Sequence, residues 1–144
     1  MDLLLGGTYG MILLLVSLVI GLVASIISYL EFKHNIGSPL CRPGSKVDCI
    51  RVHSLPQAWI LGFHLAQISP VYFTLLLVLA LASIVLGSTL ALKTLAFITL
   101  ECSLLIPYMI YLMIVYARAV CLYCLTMHAS ILITSILTYR AILV

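Results

Sequence analysis

Four stretches of this 144-residue chain are each about as long as a bilayer's hydrocarbon core is thick, and almost no charge interrupts them. They lie near residues 11–30, 66–86, 94–116 and 120–139. Lipid offers backbone N–H and C=O groups no partner, so a crossing segment must satisfy its own hydrogen bonds as a helix. A water-soluble alternative fails on composition: 65% of residues are apolar and 8% charged, with a mean hydropathy of +1.31. The expected fold is therefore an all-α integral membrane protein, a four-transmembrane-helix bundle forming one domain over residues 1–144, with both termini on one side. The first run has no basic segment before it and stays uncharged from Leu3 to Leu30, which reads as a retained helix and not a cleaved signal.

Small residues recur at four-residue spacing on helix 1 (Ser17, Gly21, Ser25) and on helix 4 (Thr126, Ser130, Thr134, Thr138). Such stripes let helices approach closely, and ordinary bundle packing accounts for both. Glu101 and Cys102 fall within helix 3, ahead of a kink expected at Pro107, and neither is placed in the catalytic set.

Most of the charge sits between helices 1 and 2, in residues 31–65, where function is expected to concentrate. Ser54 followed by Pro56 resembles a helix start. A short interfacial helix carrying Trp59 and Phe63 is expected there, since tryptophan favours the membrane boundary.

Two cysteine pairs stand out against this background. Cys41 and Cys49 enclose seven residues in the polar loop, and Pro43-Gly44 supplies a turn that lets the ends meet as a disulfide. Cys121-Leu122-Tyr123-Cys124 opens the last run, with both sulfurs on one side of a first helical turn, where helix amides favour a thiolate. Helices alternate in direction, so both pairs emerge on the same face of the membrane. One anchored pair and one loop pair suit thiol–disulfide exchange, which passes through a mixed disulfide. Two rival readings are a structural staple and a zinc site built from the four cysteines with His53 nearby. The seven-residue gap departs from the usual zinc-knuckle spacing.

Cys-x7-Cys followed by Arg51-Val52-His53-Ser54, then Cys-x-x-Cys at the head of helix 4, resembles the vitamin K epoxide reductase family over about residues 41–129. The resemblance implies a membrane thiol:quinone oxidoreductase supporting disulfide formation. In it, Cys124 reacts with the quinone, Cys121 exchanges with Cys49, and Cys41 partners Cys49 and meets the external dithiol. The quinone would lie between the bundle and the Trp59 segment, near Cys124, with Trp59 and Phe63 beside it. His128, one turn beyond Cys124, could hydrogen-bond a quinone carbonyl or deliver a proton. Animal members carry Trp-Gly-Arg-Gly-Phe-Gly where this chain has Trp59-Ile-Leu-Gly-Phe63, and Gln67 is the nearest polar candidate for their quinone-contacting asparagine. An ordinary menaquinone or ubiquinone is therefore the expected substrate ahead of a vitamin K epoxide, with no metal. Many bacterial members fuse a thioredoxin-like domain after helix 4; here the sequence ends at Val144, so the expected thiol donor is a separate thioredoxin-like protein. No nucleic-acid partner is expected.

Five basic residues, Lys33, Arg42, Lys46, Arg51 and Arg118, lie on the cysteine side, against Lys93 and Arg140 on the other. The positive-inside rule then turns the cysteines toward the cytoplasm. Family practice points outward, but disulfide-rich hyperthermophile cytoplasms make the inward arrangement chemically sensible. The rival from outside enzymology is a structural or metal-binding membrane protein without redox turnover.

Overall fold

The computed structural model describes residues 7–143. Four helices in it are long and apolar enough to cross a membrane: α1 (Thr8–His34), α3 (Leu65–Val85), α4 (Thr89–Tyr111) with its π-helical continuation Leu112–Ala117, and α5 (Leu122–Leu143). Helix α1 packs on α3 and α5, and α4 packs on the same two, so the bundle is a ring of four. The fold is thus the expected all-α bundle, and the protein is a multi-pass membrane protein.

Element boundaries differ from those expected in informative ways. Helix α1 continues past Leu30 to His34 and ends on Asn35 in the left-handed conformation (φ 51°). Glu31 and Lys33 therefore belong to its last turn and not to the loop. A helical ladder needs no apolar side chains, so hydropathy underestimates a helix that runs on beyond the apolar core. Helix α4 begins at Thr89, ahead of the expected 94, because the Ser88 hydroxyl accepts the Ala91 N–H (3.2 Å) and caps it. After Pro107 its ladder widens into the π-helical turn and stops at left-handed Arg118 (φ 50°).

Leu14, Leu18, Phe73, Leu76 and Leu95 form the fully buried centre. The stripes of small residues serve packing. A Cβ at Gly21 would overlap the Phe73 ring and lie 2.6 Å from the Ser130 hydroxyl oxygen. Ser130 donates to the Ser17 carbonyl (2.5 Å), and the Ser17 and Thr134 hydroxyls lie 3.4 Å apart. Satisfying hydroxyls across a close helix contact is what an apolar solvent demands. Large apolar side chains such as Val16, Val71, Val78 and Leu104 stay exposed around the bundle, as a lipid-facing surface requires.

A short helix does occupy the α1–α3 connection, but earlier than expected: α2 spans Cys49–His53. Trp59 and Phe63 are not on it. A 3-10 turn at Pro56–Ala58 leads into a two-stranded hairpin, β1 (Trp59–Ile60) and β2 (Phe63–His64), with Trp59 opposite His64. Its turn residues Leu61 and Gly62 both take positive φ (50° and 85°), the geometry that matches strand twist in a two-residue hairpin. Proline at the start of the 3-10 turn and glycine at the hairpin tip redirect a segment whose aromatic and β-branched residues favour strands.

Candidate functional site

Two backbone hydrogen bonds bring the loop to the head of α5. Val120 donates to the Lys46 carbonyl (2.8 Å) and Asp48 donates to the Val120 carbonyl (3.0 Å), so Val47 and Val120 form a parallel bridge. Cys49 and Cys121 are the next residues beyond Asp48 and Val120, which sets them side by side. Buried Asp48 fixes the loop's shape: its carboxylate accepts the Gly44 N–H (2.9 Å) and caps α2 through the Arg51 N–H (3.1 Å). Tyr123 adds a tether from α5, its hydroxyl 2.9 Å from that of Ser38.

Cys41 and Cys49 are disulfide-bonded, with Cα atoms 5.6 Å apart. The sulfurs of Cys41, Cys49 and Cys121 all lie within 4.8 Å of one another. Joining Cys41 to Cys49 also takes two members away from the four-cysteine zinc site that the sequence allowed.

Cys121 and Cys124 are free thiols, and Cys121 does the work of a helix cap, its sulfur accepting the Cys124 N–H (3.2 Å). The His53 Nε2 atom lies 3.9 Å from each of the two sulfurs and 3.1 Å from the Ser28 hydroxyl. A hydrogen bond from the Cys124 thiol, joined by His53, holds Cys121 down to about 6 against the opposing effect of burial. Cys121 is thereby a thiolate at neutral pH.

His53 is itself positioned. His64 caps α3, its Nδ1 accepting the Ala66 N–H (3.0 Å), so its Nε2 carries the proton and donates to the His53 carbonyl (2.9 Å). Burial lowers the His64 pKa, which favours the neutral ring that this pair of bonds needs. Phe32 stacks on His64 with ring centroids 3.9 Å apart, and Trp59 meets the same imidazole edge-on at 5.2 Å.

All four cysteines named from sequence therefore gather at one end of the bundle, whereas the expected quinone residues are more scattered. Trp59 is half-exposed against His64, and Phe63 is exposed on the hairpin. The Gln67 side chain is engaged, its Oε1 accepting the His64 N–H (3.0 Å) to complete a capping box. His128 lies on α5 one turn beyond Cys124, with a buried, unpartnered Nδ1. A shallow groove between α1 and α5, lined by residues including Ser17, Ile20, Ala129 and Ile133, contains none of these four. Glu101 sits on the exposed face of α4.

Sequence reading missed Ser28, Glu31, Phe32 and His64, and considered His53 only as a metal ligand. The signals were present as spacing. Cys49 and His53 stand four apart on α2, and Ser28 and Glu31 three apart on α1, so each pair shares a face. Glu31 is buried, and neither carboxyl oxygen has a hydrogen-bond partner among the described residues.

A sequence profile of the Vitamin K epoxide reductase family matches residues 11–139, nearly the whole chain. The chain belongs to the vitamin K epoxide reductase family. This is a family of membrane oxidoreductases, and the disulfide, the Cys-x-x-Cys pair and the four spans accord with membership. No curated protein matches the sequence significantly.

Proposed function

We propose that this protein is a membrane thiol:quinone oxidoreductase that draws electrons from a thioredoxin-like dithiol protein and passes them to a quinone. The observation that carries the reading is the place of Cys121, which belongs to both sulfur clusters: within 4.8 Å of the Cys41–Cys49 disulfide on one side, and beside Cys124 and His53 on the other.

The chemistry follows as a series of exchanges. A donor thiolate attacks Cys41, and Cys49 leaves as a thiolate. The donor's second thiol closes its own disulfide and releases Cys41. Cys49 then attacks Cys121 in an oxidised Cys121–Cys124 pair, expelling Cys124 as a thiolate. Cys41 attacks Cys49, which restores the loop disulfide and frees Cys121. The reduced pair gives two electrons and two protons to the quinone: Cys124 engages the ring, Cys121 attacks the Cys124 sulfur, and quinol departs. His53 can pass a proton to or from either sulfur, and His128 faces the same chemistry one turn deeper. Trp59 and Phe63 would flank the quinone on the hairpin side. Gln67 acts through the capping box that holds His64, and so through His53.

Quinone consumption by the purified protein with a dithiol donor, followed optically, tests the reading. Turnover is expected to vanish in Cys124→Ala, and turnover that persists in that variant refutes it. Replacing Cys41 and Cys124 by serine should trap a Cys49–Cys121 mixed disulfide. A protein that only braces its loop with disulfides would yield none.

The charge asymmetry supports an orientation in which the cysteines face the cytoplasm. A membrane-impermeant thiol reagent should accordingly leave reduced Cys41 unlabelled in intact cells, and labelling would reverse the orientation.

A further inference from the structure

We propose that the reduced Cys121–Cys124 pair and His53 together bind a soft divalent cation of the zinc and cadmium type, which locks the protein in its dithiol state. The site is assembled from three donors on two elements: the sulfurs at the head of α5 and the imidazole Nε2 at the end of α2.

Geometry comes first. With Nε2 3.9 Å from both sulfurs and all three atoms within 4.8 Å of one another, a point equidistant from them lies at most about 2.5 Å from each. Tetrahedral zinc needs roughly 2.3 Å to sulfur and 2.0–2.1 Å to nitrogen, so closure takes shifts of a few tenths of an ångström. The donor chemistry agrees, because two thiolates and an imidazole are the ligands such cations prefer over harder ions.

Charge adds a second, separate argument. Cys121 and His53 are buried, and two thiolates balance a dication without leaving net charge in a low-dielectric site.

Three protein donors leave a fourth position open, as in exchangeable and not structural zinc sites. The other His53 nitrogen, Nδ1, has no partner among the described residues, which therefore do not supply the outer-shell bond that commonly strengthens a zinc-bound histidine by about 10–100-fold. The site thus captures metal reversibly. On binding, the Cys124 thiol gives up its proton, Cys121 being a thiolate already, and an electron pair from each sulfur goes to the metal. No electron is transferred, and neither sulfur is free to attack a disulfide or a quinone until the metal leaves.

The test uses the full-length chain in detergent with Cys41→Ser and Cys49→Ser, so that the loop offers no thiols. Cadmium added to the reduced protein should give sulfur-to-metal ultraviolet absorption saturating at one ion per chain. Oxidation to the Cys121–Cys124 disulfide should abolish the signal. His53→Gln should weaken the affinity by about tenfold or more, with zinc competing in both proteins. Equal affinity in the His53→Gln protein, or absorption that survives oxidation, overturns the proposal. Should His53→Gln fail to fold, protection of Cys124 from alkylation by zinc in the parent protein decides, and absence of protection overturns the proposal. The measurement contains no quinone and no donor. A protein without turnover that binds cadmium contradicts only the proposed function, whereas one with turnover that does not bind contradicts only this inference.

Discussion

Replacing His53 by glutamine should raise the pH at which Cys121 becomes reactive by about one unit. The folded protein holds Cys121 near about 6 from an ordinary 9.0, a preference for the thiolate of about 4 kcal/mol at 1.36 kcal/mol per unit. The hydrogen bond from Cys124 contributes most of this, and His53 comes next. Hydrogen bonds to charged groups are worth about 1.5–3 kcal/mol, and a nitrogen-to-sulfur distance of 3.9 Å puts this one at the weak end, about 1.5 kcal/mol. That is about one pH unit. The assay is the rate of Cys121 alkylation against pH, resolved by peptide mass spectrometry in protein lacking Cys41 and Cys49. Since the thiolate is the reactive form, the variant should react about fivefold more slowly near the parent's midpoint and equally fast once the pH exceeds both midpoints. Cys124→Ala should move the midpoint further than His53→Gln. An unmoved midpoint in the His53 variant, or a larger shift from His53 than from Cys124, refutes the account of how this thiolate is stabilised.

Other perturbations reach different parts of the structure. Gly21→Ala drives a methyl into Phe73 and Ser130 at the α1–α5 contact and should cost about 1–3 kcal/mol, read as a lowered unfolding temperature in detergent. Asp48→Ala removes the α2 cap and the Gly44 anchor and should cost about 1 kcal/mol, while lowering the yield of trapped Cys49–Cys121 disulfide. His64→Ala should shift the Cys121 midpoint in the same direction as His53→Gln but by less, since it removes the bond to the His53 carbonyl and an edge-on ring contact while leaving the His53 imidazole itself in place. An unchanged alkylation profile in His64→Ala would show that the His53 ring holds its place without that bond.

The spans were legible because hydrocarbon imposes one rule on every residue of a crossing segment. The cysteine pairs were legible because their spacing is a local property. What escaped was long-range or concealed by hydropathy. Glu31 looked like the first residue of a polar loop, yet it is the buried end of α1, because the helix outlasts its apolar stretch. Trp59 and Phe63 were expected on a short interfacial helix, but the left-handed turn at Leu61 and Gly62 makes that segment a hairpin. His53 was visible, but its distance to Cys121 and Cys124 depends on a parallel bridge between residues 47 and 120, which no local pattern announces.

That bridge also determines which partner the loop disulfide can meet. Cys41 and Cys49 are 1% and 0% exposed, so in this arrangement no incoming protein can touch either sulfur, although Cys121 lies beside them. Serving a donor requires the two backbone bonds at Val120 and the Ser38–Tyr123 tether to open. At about 1 kcal/mol each, that is about 3 kcal/mol in all, or an outward-facing state present about half a per cent of the time. The disulfide behaves as an airlock: it faces the membrane-side thiols or the donor, never both. A donor that binds the released loop would open it, and electrons could not then leak from the Cys121–Cys124 pair to passing disulfides in solution.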